Sequence, residues 1–146
     1  AINLRARQRV IDVVRGELSE DLTQYKIAVI GATFKPDSDD VRDSPALDIA
    51  AQLQAAGAIV VVHDPQGIEP ARKRFPNLEY QEVVTDALKD ADLILHLTEW
   101  KEYRELDPSV IGQLVKSKFL IDGRNMLDRN LWRAAGWRVH ALGRTD

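Results

Sequence analysis

Residues Lys26–Ile30 are the stretch that most constrains the fold. This run, KIAVI, ends in four successive apolar side chains with no polar alternation, the pattern of a strand covered on both faces of a sheet. Gly31 follows it, and a polar loop then leads to Ser44 and Pro45. Serine is favoured at a helix N-cap and proline at the first helical position. The stretch therefore predicts a buried strand, a charged loop and a helix start.

The rest of the chain repeats this alternation of apolar strands and short helices. Further strands are predicted at residues 58–63, 78–80, 93–97, 119–121 and 137–142, and helices at residues 45–56, 68–74, 83–91, 107–116 and 127–135. The side chains expected to face the sheet from the helix at 45–56 are Leu47, Ala50, Ala51 and Leu53. This order favours right-handed βαβ units. It predicts an α/β fold with a doubly wound, mostly parallel, Rossmann-like sheet and helices on both faces.

One more helix is predicted ahead of the first strand, over residues 1–19. Its apolar residues recur at helical spacing and line one face: Leu4, Ile11, Val14 and Leu18. Its arginines lie mostly off that face, which favours a solvated surface over a phosphate-binding arm. A helix with a single apolar stripe needs a partner, and the alternatives are this domain, another subunit or an upstream domain. Because the chain begins inside the helical pattern, we expect it to be a fragment.

Composition excludes several classes of function. The 146 residues suffice for one domain with a core. A net charge of −3 argues against a general nucleic-acid binder, and no apolar run approaches the roughly 18–20 residues that a membrane span needs. Because the sequence has no cysteine, it offers no disulfide and no cysteine nucleophile. A cytoplasmic location is the simplest prediction.

Cationic side chains lie in the loops that follow two predicted strands. Lys35 stands just past the first strand, and Arg42 stands two residues before the N-cap serine. Arg124 lies in a later glycine-containing loop, where Asp122 could orient it. In a parallel sheet such loops meet at the carboxyl edge, where ligands bind, and cations from separate loops suit a diphosphate. The alternatives are a solvated Lys35 and an ion pair between Arg42 and a neighbouring aspartate.

Other polar and aromatic residues are weaker candidates. Asp64 ends the second strand, where a ribose-binding acid would stand, but the first strand is not followed by a GxGxxG fingerprint, so a turn role is favoured. Phe34 either packs under its loop or touches a ligand, and Trp100 is expected to pack at the rim. The three histidines lack metal-ligand spacing and are expected to be buried and hydrogen-bonded. Capping and pairing with arginine explain the loop aspartates better than Mg²⁺ does, so no metal site is predicted.

Three motifs in order resemble one known family. IAVIGATFKPDSDDVRDSPALDI, HLTEWKEYRELDP and LIDGRNMLD are similar to segments of the C-terminal, UDP-binding domain of the UDP-glucose/GDP-mannose dehydrogenases. The pairing of TEW with DGRN is most similar to the UDP-glucose 6-dehydrogenase branch. The resemblance covers residues 25–144, although the first loop reads GATFKP where the family often has GLAFKP.

The resemblance implies a two-step oxidation of a nucleotide-sugar C6 alcohol to a carboxylate, with two NAD⁺, an N-terminal NAD-binding domain and a cysteine nucleophile. By motif position, it implies that Phe34, Lys35 and Arg124 contact the UDP-sugar and that Arg42 reaches the NAD. It further implies that residues 1–22 end a central helix that forms a homodimer, and that residues 23–146 bind the UDP-sugar. Without a cysteine or the NAD domain, the chain is expected to be inactive alone and to hold no catalytic residue.

Two other classes of function stay open. One is a stand-alone nucleotide or coenzyme A binding module, because a strand followed by GAT and a nearby proline loosely resembles coenzyme A binding domains. The other is an interaction domain that docks through its N-terminal helix. Within the resembled family, UDP-glucose, UDP-N-acetylmannosamine and GDP-mannose are alternative substrates, because the sugar is read mainly by residues outside this sequence.

Overall fold

The computed structural model describes residues 4–33 and 35–142. In chain order its elements are α1 (Leu4–Glu17), β1 (Lys26–Ile30), α2 (Pro45–Ala55), β2 (Ile59–His63), α3 (Ile68–Arg74), β3 (Glu79–Tyr80), α4 (Val84–Leu88), β4 (Leu93–His96), α5 (Lys101–Arg104), α6 (Pro108–Ile111), β5 (Phe119–Asp122), α7 (Arg129–Ala134) and β6 (Arg138–Ala141). Within these ranges no helix has the length and apolar character needed to cross a bilayer.

The six strands form one sheet in the order β3-β2-β1-β4-β5-β6. Every neighbouring pair is parallel, so the predicted doubly wound, Rossmann-like sheet is confirmed. The chain runs outward from β1 to β3, returns to β4 beside β1, and then runs outward the other way to β6. The winding direction therefore reverses between β1 and β4, and the loops after these two strands meet at the switch point.

Side chains of β1, β4 and β5 alternate between two cores, one on each face of the sheet. In β1, Ile27 and Val29 belong to the core shared with buried residues of α1, α2 and α3, whereas Ala28 and Ile30 belong to the core shared with α4 to α7. Helices on both faces were predicted and are confirmed. Because both faces are covered, the central strands are continuous apolar runs rather than alternating ones.

Helix α1 is covered within this domain. Its buried residues are Val10, Ile11 and Val14, and they join the same core as α2 and the inner strands. Arg7 Nη1 lies 3.3 Å from Asp48 Oδ2 on α2, and Glu17 pairs with Arg138 on β6. The sequence allowed this domain, another subunit or an upstream domain to pack against the apolar stripe of α1. In the structure, this domain does so. Val10 is an unpredicted member, and the side chain of Leu4 lies outside the described residues.

Helix α2 buries a wider arc than its sequence predicts. Leu47, Ala50 and Leu53 are buried as expected, but Ala51 is only half-buried and Ile49 is fully buried. The prediction considered only the sheet as a packing partner of this helix. Because α1 also packs against α2, a second face of α2 is shielded, and Ile49 joins the core that the two helices share.

Two helices are shorter than predicted because tertiary hydrogen bonds compete with helix continuation. The helix predicted at 107–116 is helical only over Pro108–Ile111, and the chain then turns so that Lys116 N–H donates to the carbonyl of Ala91. In return, the N–H of Asp90, just after α4, donates to the carbonyl of Leu114. The helix predicted at 83–91 accordingly ends at Leu88. Helix α5 was not predicted.

Candidate functional site

Asp64, which follows β2, holds together three loops at the carboxyl edge of the sheet. Its Oδ2 accepts the N–H groups of Ala32 at 2.7 Å and Thr33 at 3.1 Å, in the loop after β1. Trp100 Nε1, in the loop after β4, donates to the same oxygen at 3.1 Å. Oδ1 accepts two amides of its own turn, at 2.9 and 2.7 Å. The side chain is only 2% exposed, so its carboxylate is fully used inside the protein.

The crevice at the switch point is filled by the domain's own side chains. Gly31 has φ +108°, and a Cβ there would lie 2.5 Å from the backbone nitrogen of Thr98. Thr98 Oγ1 donates to the carbonyl of Thr33 at 2.8 Å, and Trp100 is buried beside it. A Rossmann domain holds its dinucleotide in this crevice. Here Gly31 allows the loops after β1 and β4 to touch. The turn role predicted for Asp64 is confirmed by the two amides of its own turn that it accepts.

The loop after β1 is fixed at both ends and exposes a lysine between them. Ser44 Oγ donates to the carbonyl of Ala32 at 2.6 Å and accepts the N–H of Leu47 at 3.2 Å, which confirms the predicted N-cap. Thr33 Oγ1 donates to the carbonyl of Lys35 at 2.9 Å. The Lys35 side chain is exposed, and no ion-pair partner for it lies in the described part of the chain. Phe34 lies outside the described residues.

Arg42 pairs with a carboxylate of its own loop. Its Nε and Nη2 each lie 3.1 Å from an oxygen of Asp40, and the Arg42 hydrogen bonds lower the pKa of Asp40 to about 2. The guanidinium side chain is 74% exposed and lines an open pocket of about 500 Å³ with Pro70 and Arg74 of α3. This pocket lies toward β3, so the structure does not bring Arg42 together with Arg124, which follows β5.

Asp122, the last residue of β5, shapes the loop that carries Arg124. Its Oδ1 accepts the N–H groups of Arg124 at 3.0 Å and Asn125 at 2.9 Å, and its Oδ2 accepts that of Leu127 at 2.9 Å. His96 Nδ1, on the paired residue of β4, lies 2.8 Å from Oδ1. Burial raises the pKa of Asp122, but the bonds from His96 and the amides outweigh it and lower the pKa below 3.8.

The guanidinium of Arg124 is held by Glu99, in the loop after β4. Arg124 Nε lies 2.6 Å from Glu99 Oε2, and Nη2 lies 3.4 Å from Oε1. The side chains are 31% and 21% exposed. The expectation that Asp122 orients Arg124 is therefore correct for the backbone only. Sequence reasoning missed Glu99 in this role, although its place in a polar segment after a strand was a usable signal.

A second buried polar cluster lies beneath the switch point. The Tyr103 hydroxyl lies 2.8 Å from His63 Nδ1 and donates to the His63 carbonyl at 3.1 Å, and burial lowers the pKa of His63. His63 and His96 are buried and hydrogen-bonded as predicted, whereas His140 is half-buried, 3.7 Å from Glu17. Trp100 is buried in the core rather than at the rim. No group of three metal-ligating side chains occurs within the described residues.

The fold and this edge define a Rossmann-like α/β domain whose loops present cations beyond the strand ends, where nucleotides bind in such folds. Residues 28–129 match the family described as the UDP-glucose/GDP-mannose dehydrogenase family, UDP binding domain. The chain belongs to this family, which confirms the resemblance seen in its three motifs.

Individual relatives agree with this assignment. The UDP-glucose 6-dehydrogenase of Rhizobium meliloti is 40% identical over 126 residues, which are 86% of this chain and 29% of that protein. A solved UDP-glucose dehydrogenase from Pyrobaculum islandicum has a TM-score of 0.73 at 27% identity, over 90% of this chain and 30% of its own. An NDP-N-acetyl-D-galactosaminuronic acid dehydrogenase from Methanosarcina mazei has a TM-score of 0.79 at 25% identity, over 94% and 28%. This chain spans about 30% of the length of such relatives.

The predicted ligand contacts fall on two loops with different surroundings, the one after β1 and the one after β5. Lys35 follows β1 and Arg124 follows β5, with β4 between these strands. Neighbouring strands lie about 4.8 Å apart, so the two loops start about 10 Å from each other, a gap that two long cationic side chains can narrow to the span of a diphosphate. The contacts predicted for Phe34, Lys35, Arg42 and Arg124 stay predictions.

Proposed function

We propose that this chain binds the UDP group of UDP-glucose within an enzyme that converts UDP-glucose, two NAD⁺ and water to UDP-glucuronate and two NADH. The observation that carries the proposal is the pair of cationic loops after β1 and β5, in a chain that belongs to a UDP binding domain family. Lys35 supplies an exposed ammonium and Arg124 supplies a fixed guanidinium. Together they neutralise the diphosphate from two sides.

The oxidation chemistry belongs, in this proposal, to a separate N-terminal domain. That domain holds NAD and supplies the cysteine nucleophile, which this sequence lacks. The filled switch-point crevice and the fully hydrogen-bonded Asp64 support NAD binding elsewhere. Arg42 reaches the NAD from this side, and its 74% exposed side chain is free to extend once it leaves Asp40. This chain by itself is inactive.

The proposed assembly is a cytoplasmic homodimer built on α1 and the helix it continues. Because the apolar stripe of α1 already packs inside this domain, the dimer contact uses its other face. That face exposes Gln8, Arg9 and Asp12, so hydrogen bonds and ion pairs, rather than an apolar seam, would join the two copies.

The identity of the sugar rests on the relatives. The Rhizobium meliloti protein, at 40% identity, favours UDP-glucose over UDP-N-acetylmannosamine and GDP-mannose. The Methanosarcina mazei structure is named for a different nucleotide sugar and has the higher TM-score of the two structures above, 0.79, so the fold alone does not select the sugar. Coenzyme A binding has no support beyond the loose likeness of the first loop.

The test is an NMR titration of this chain with UDP, UDP-glucose, NAD⁺ and coenzyme A in parallel. UDP and UDP-glucose should shift amide signals near Lys35 and in residues 122–125, and NAD⁺ and coenzyme A should not. Lys35→Ala should weaken the uridine response, whereas Lys73→Ala, a change of another exposed lysine on α3, should leave it unchanged. Shifts with coenzyme A alone, or no response to either uridine ligand, would contradict the proposal.

A further inference from the structure

We infer that Glu99 is a positioning residue for Arg124, which it holds so that one edge of the guanidinium faces the diphosphate. This inference rests on the proposed function of Arg124. Glu99 is negatively charged and does not itself attract an anion. It acts through Arg124 rather than on the ligand.

The pair has a side-on geometry. Glu99 engages Nε and Nη2 of Arg124, at 2.6 and 3.4 Å. A guanidinium carries five N–H donors in a rigid plane, so three donors, including both on Nη1, remain. No partner for Nη1 occurs among the described residues. Because Glu99 holds one edge of this rigid guanidinium, the direction of its opposite, free edge is fixed as well.

Both ends of the pair are anchored by buried contacts. Glu99 stands between Thr98, bonded to the Thr33 carbonyl at 2.8 Å, and Trp100, bonded to Asp64 at 3.1 Å. The Arg124 backbone is held by Asp122, which is wholly buried with His96. The ion pair therefore joins two loops whose own backbones are rigid, and the guanidinium has little freedom left to lose when a ligand binds.

Two other arginine pairs of the chain, each formed within one loop or helix, differ in this respect. Arg42 and Asp40 are two residues apart in one exposed loop, and Arg72 and Glu69 are three residues apart on α3. Such local, exposed pairs contribute little to stability and hold nothing else in place. Arg124 and Glu99 are 25 residues apart and lie at the ends of adjacent strands. Their contact fixes the relation between two loops at the carboxyl edge.

Two effects of Glu99 on anion binding oppose each other. Its negative charge reduces the attraction between Arg124 and a phosphate, so neutralising it would tighten binding if charge alone mattered. Its hydrogen bonds remove the rotamer freedom that a long side chain otherwise loses on binding. At about one-quarter exposure the charge is partly screened by solvent, so we expect orientation to outweigh repulsion.

The test compares Glu99→Gln with Glu69→Gln, a matched removal of one carboxylate that pairs with arginine away from the edge. The dissociation constant for UDP is measured by NMR titration of the whole chain. Glu99→Gln should weaken UDP binding about fivefold, the equivalent of one ordinary hydrogen bond, and Glu69→Gln should not change it. Glu99→Asp, which keeps the charge but shortens the reach, should resemble Glu99→Gln. Without ligand, the Arg124 Nε–H signal should be sharp in the wild type and broadened in Glu99→Gln alone.

Each outcome decides the matter. Weaker UDP binding together with a broadened Arg124 signal supports positioning. Tighter or unchanged binding in Glu99→Gln, with the wild type binding UDP, overturns the inference and leaves the proposed function intact. No UDP binding by the wild type overturns the proposed function, and with it the inference. Wild-type behaviour of Glu99→Asp would show that only the charge of Glu99 matters, which also overturns positioning.

Discussion

The loops after β1 and β5 both present an arginine bound side-on by a carboxylate, yet they are built differently. Arg42 pairs with Asp40 in its own loop and is 74% exposed. Arg124 pairs with Glu99 from another strand and is 31% exposed. A local pair leaves its arginine free to extend, whereas a pair between strands fixes it. We therefore propose that Arg42 reaches outward and that Arg124 holds a fixed orientation, although the two residues look alike in the sequence.

Replacing Asp64, which anchors the start of the first loop, should destabilise the domain more than any other change considered. Asp64→Ala leaves the buried amides of Ala32 and Thr33 without their acceptor and leaves the Trp100 Nε1–H only its longer contact, 3.3 Å, to Thr33 Oγ1. A buried donor without a partner costs about 1–3 kcal/mol, so we expect the free energy of unfolding to fall by at least about 3 kcal/mol. Urea denaturation measures this. Asp39→Ala, an exposed aspartate of the same loop, is the control, and equal losses in both would contradict the anchoring role.

Asp122 anchors the second loop and should show a smaller effect with a distinct pH dependence. Asp122→Asn should lower the free energy of unfolding by about 2 kcal/mol, the value of hydrogen bonds to a charged acceptor. Because the folded-state pKa lies below 3.8, the unfolded state binds the proton more tightly. The contribution of the carboxylate is therefore complete above pH 3.8 and is lost as the pH falls through the folded-state pKa.

Unfolding curves of both proteins between pH 7 and pH 3 check this prediction. The stability of Asp122→Asn should depend less steeply on pH in the acid range than that of the wild type. Parallel curves would show that the His96 and amide contacts do not stabilise the ionised carboxylate.

A third prediction concerns ligand binding by the second loop. Arg124→Ala should weaken UDP binding by this chain about tenfold, equivalent to about 1.4 kcal/mol, because a charge-assisted hydrogen bond is lost. NMR titration with UDP measures it, with Arg104→Ala on α5, an exposed arginine, as the control. An unchanged dissociation constant would remove Arg124 from the site.

The last prediction tests directly whether Arg42 and Arg124 have different roles, and it expects almost no change in binding. Arg42→Ala should leave UDP binding by this chain unchanged within twofold, since Arg42 lies on the β3 side of the edge and is proposed to reach NAD on another domain. The same titration measures it. A loss equal to that of Arg124→Ala would show that Arg42 and Arg124 contact the same ligand, and the division between reach and orientation would be wrong.

Much of this fold was predictable because its signals are local. The unbroken apolar run at residues 27–30 and the N-cap at Ser44 each depend on neighbouring residues alone, and both appear in the structure. The ends of the helices predicted at 83–91 and 107–116 were not predictable, because hydrogen bonds between these two distant segments end them. The unexpected burial of Ile49 likewise depends on α1 packing beside α2.

The candidate site divides in the same way. The sequence predicted that Lys35, Arg42 and Arg124 follow strands. It also allowed an ion pair between Arg42 and a neighbouring aspartate, because Asp40 is only two residues away. The pairing of Arg124 with Glu99 was not predictable, because the two residues are 25 positions apart in the sequence. It exists because β4 and β5 are parallel neighbours in register, with His96 beside Asp122.

The sequence was therefore enough to predict the strand and helix order, the parallel sheet that follows from it, and the family through three motifs. These depend on side-chain periodicity, turn residues and caps, which act over a few positions. The contacts of each charged group, in contrast, depend on how distant segments pack together. Asp64 became an internal acceptor, Arg42 stayed exposed, and Arg124 was fixed by Glu99, because hydrogen bonding and burial depend on which strand ends meet in space.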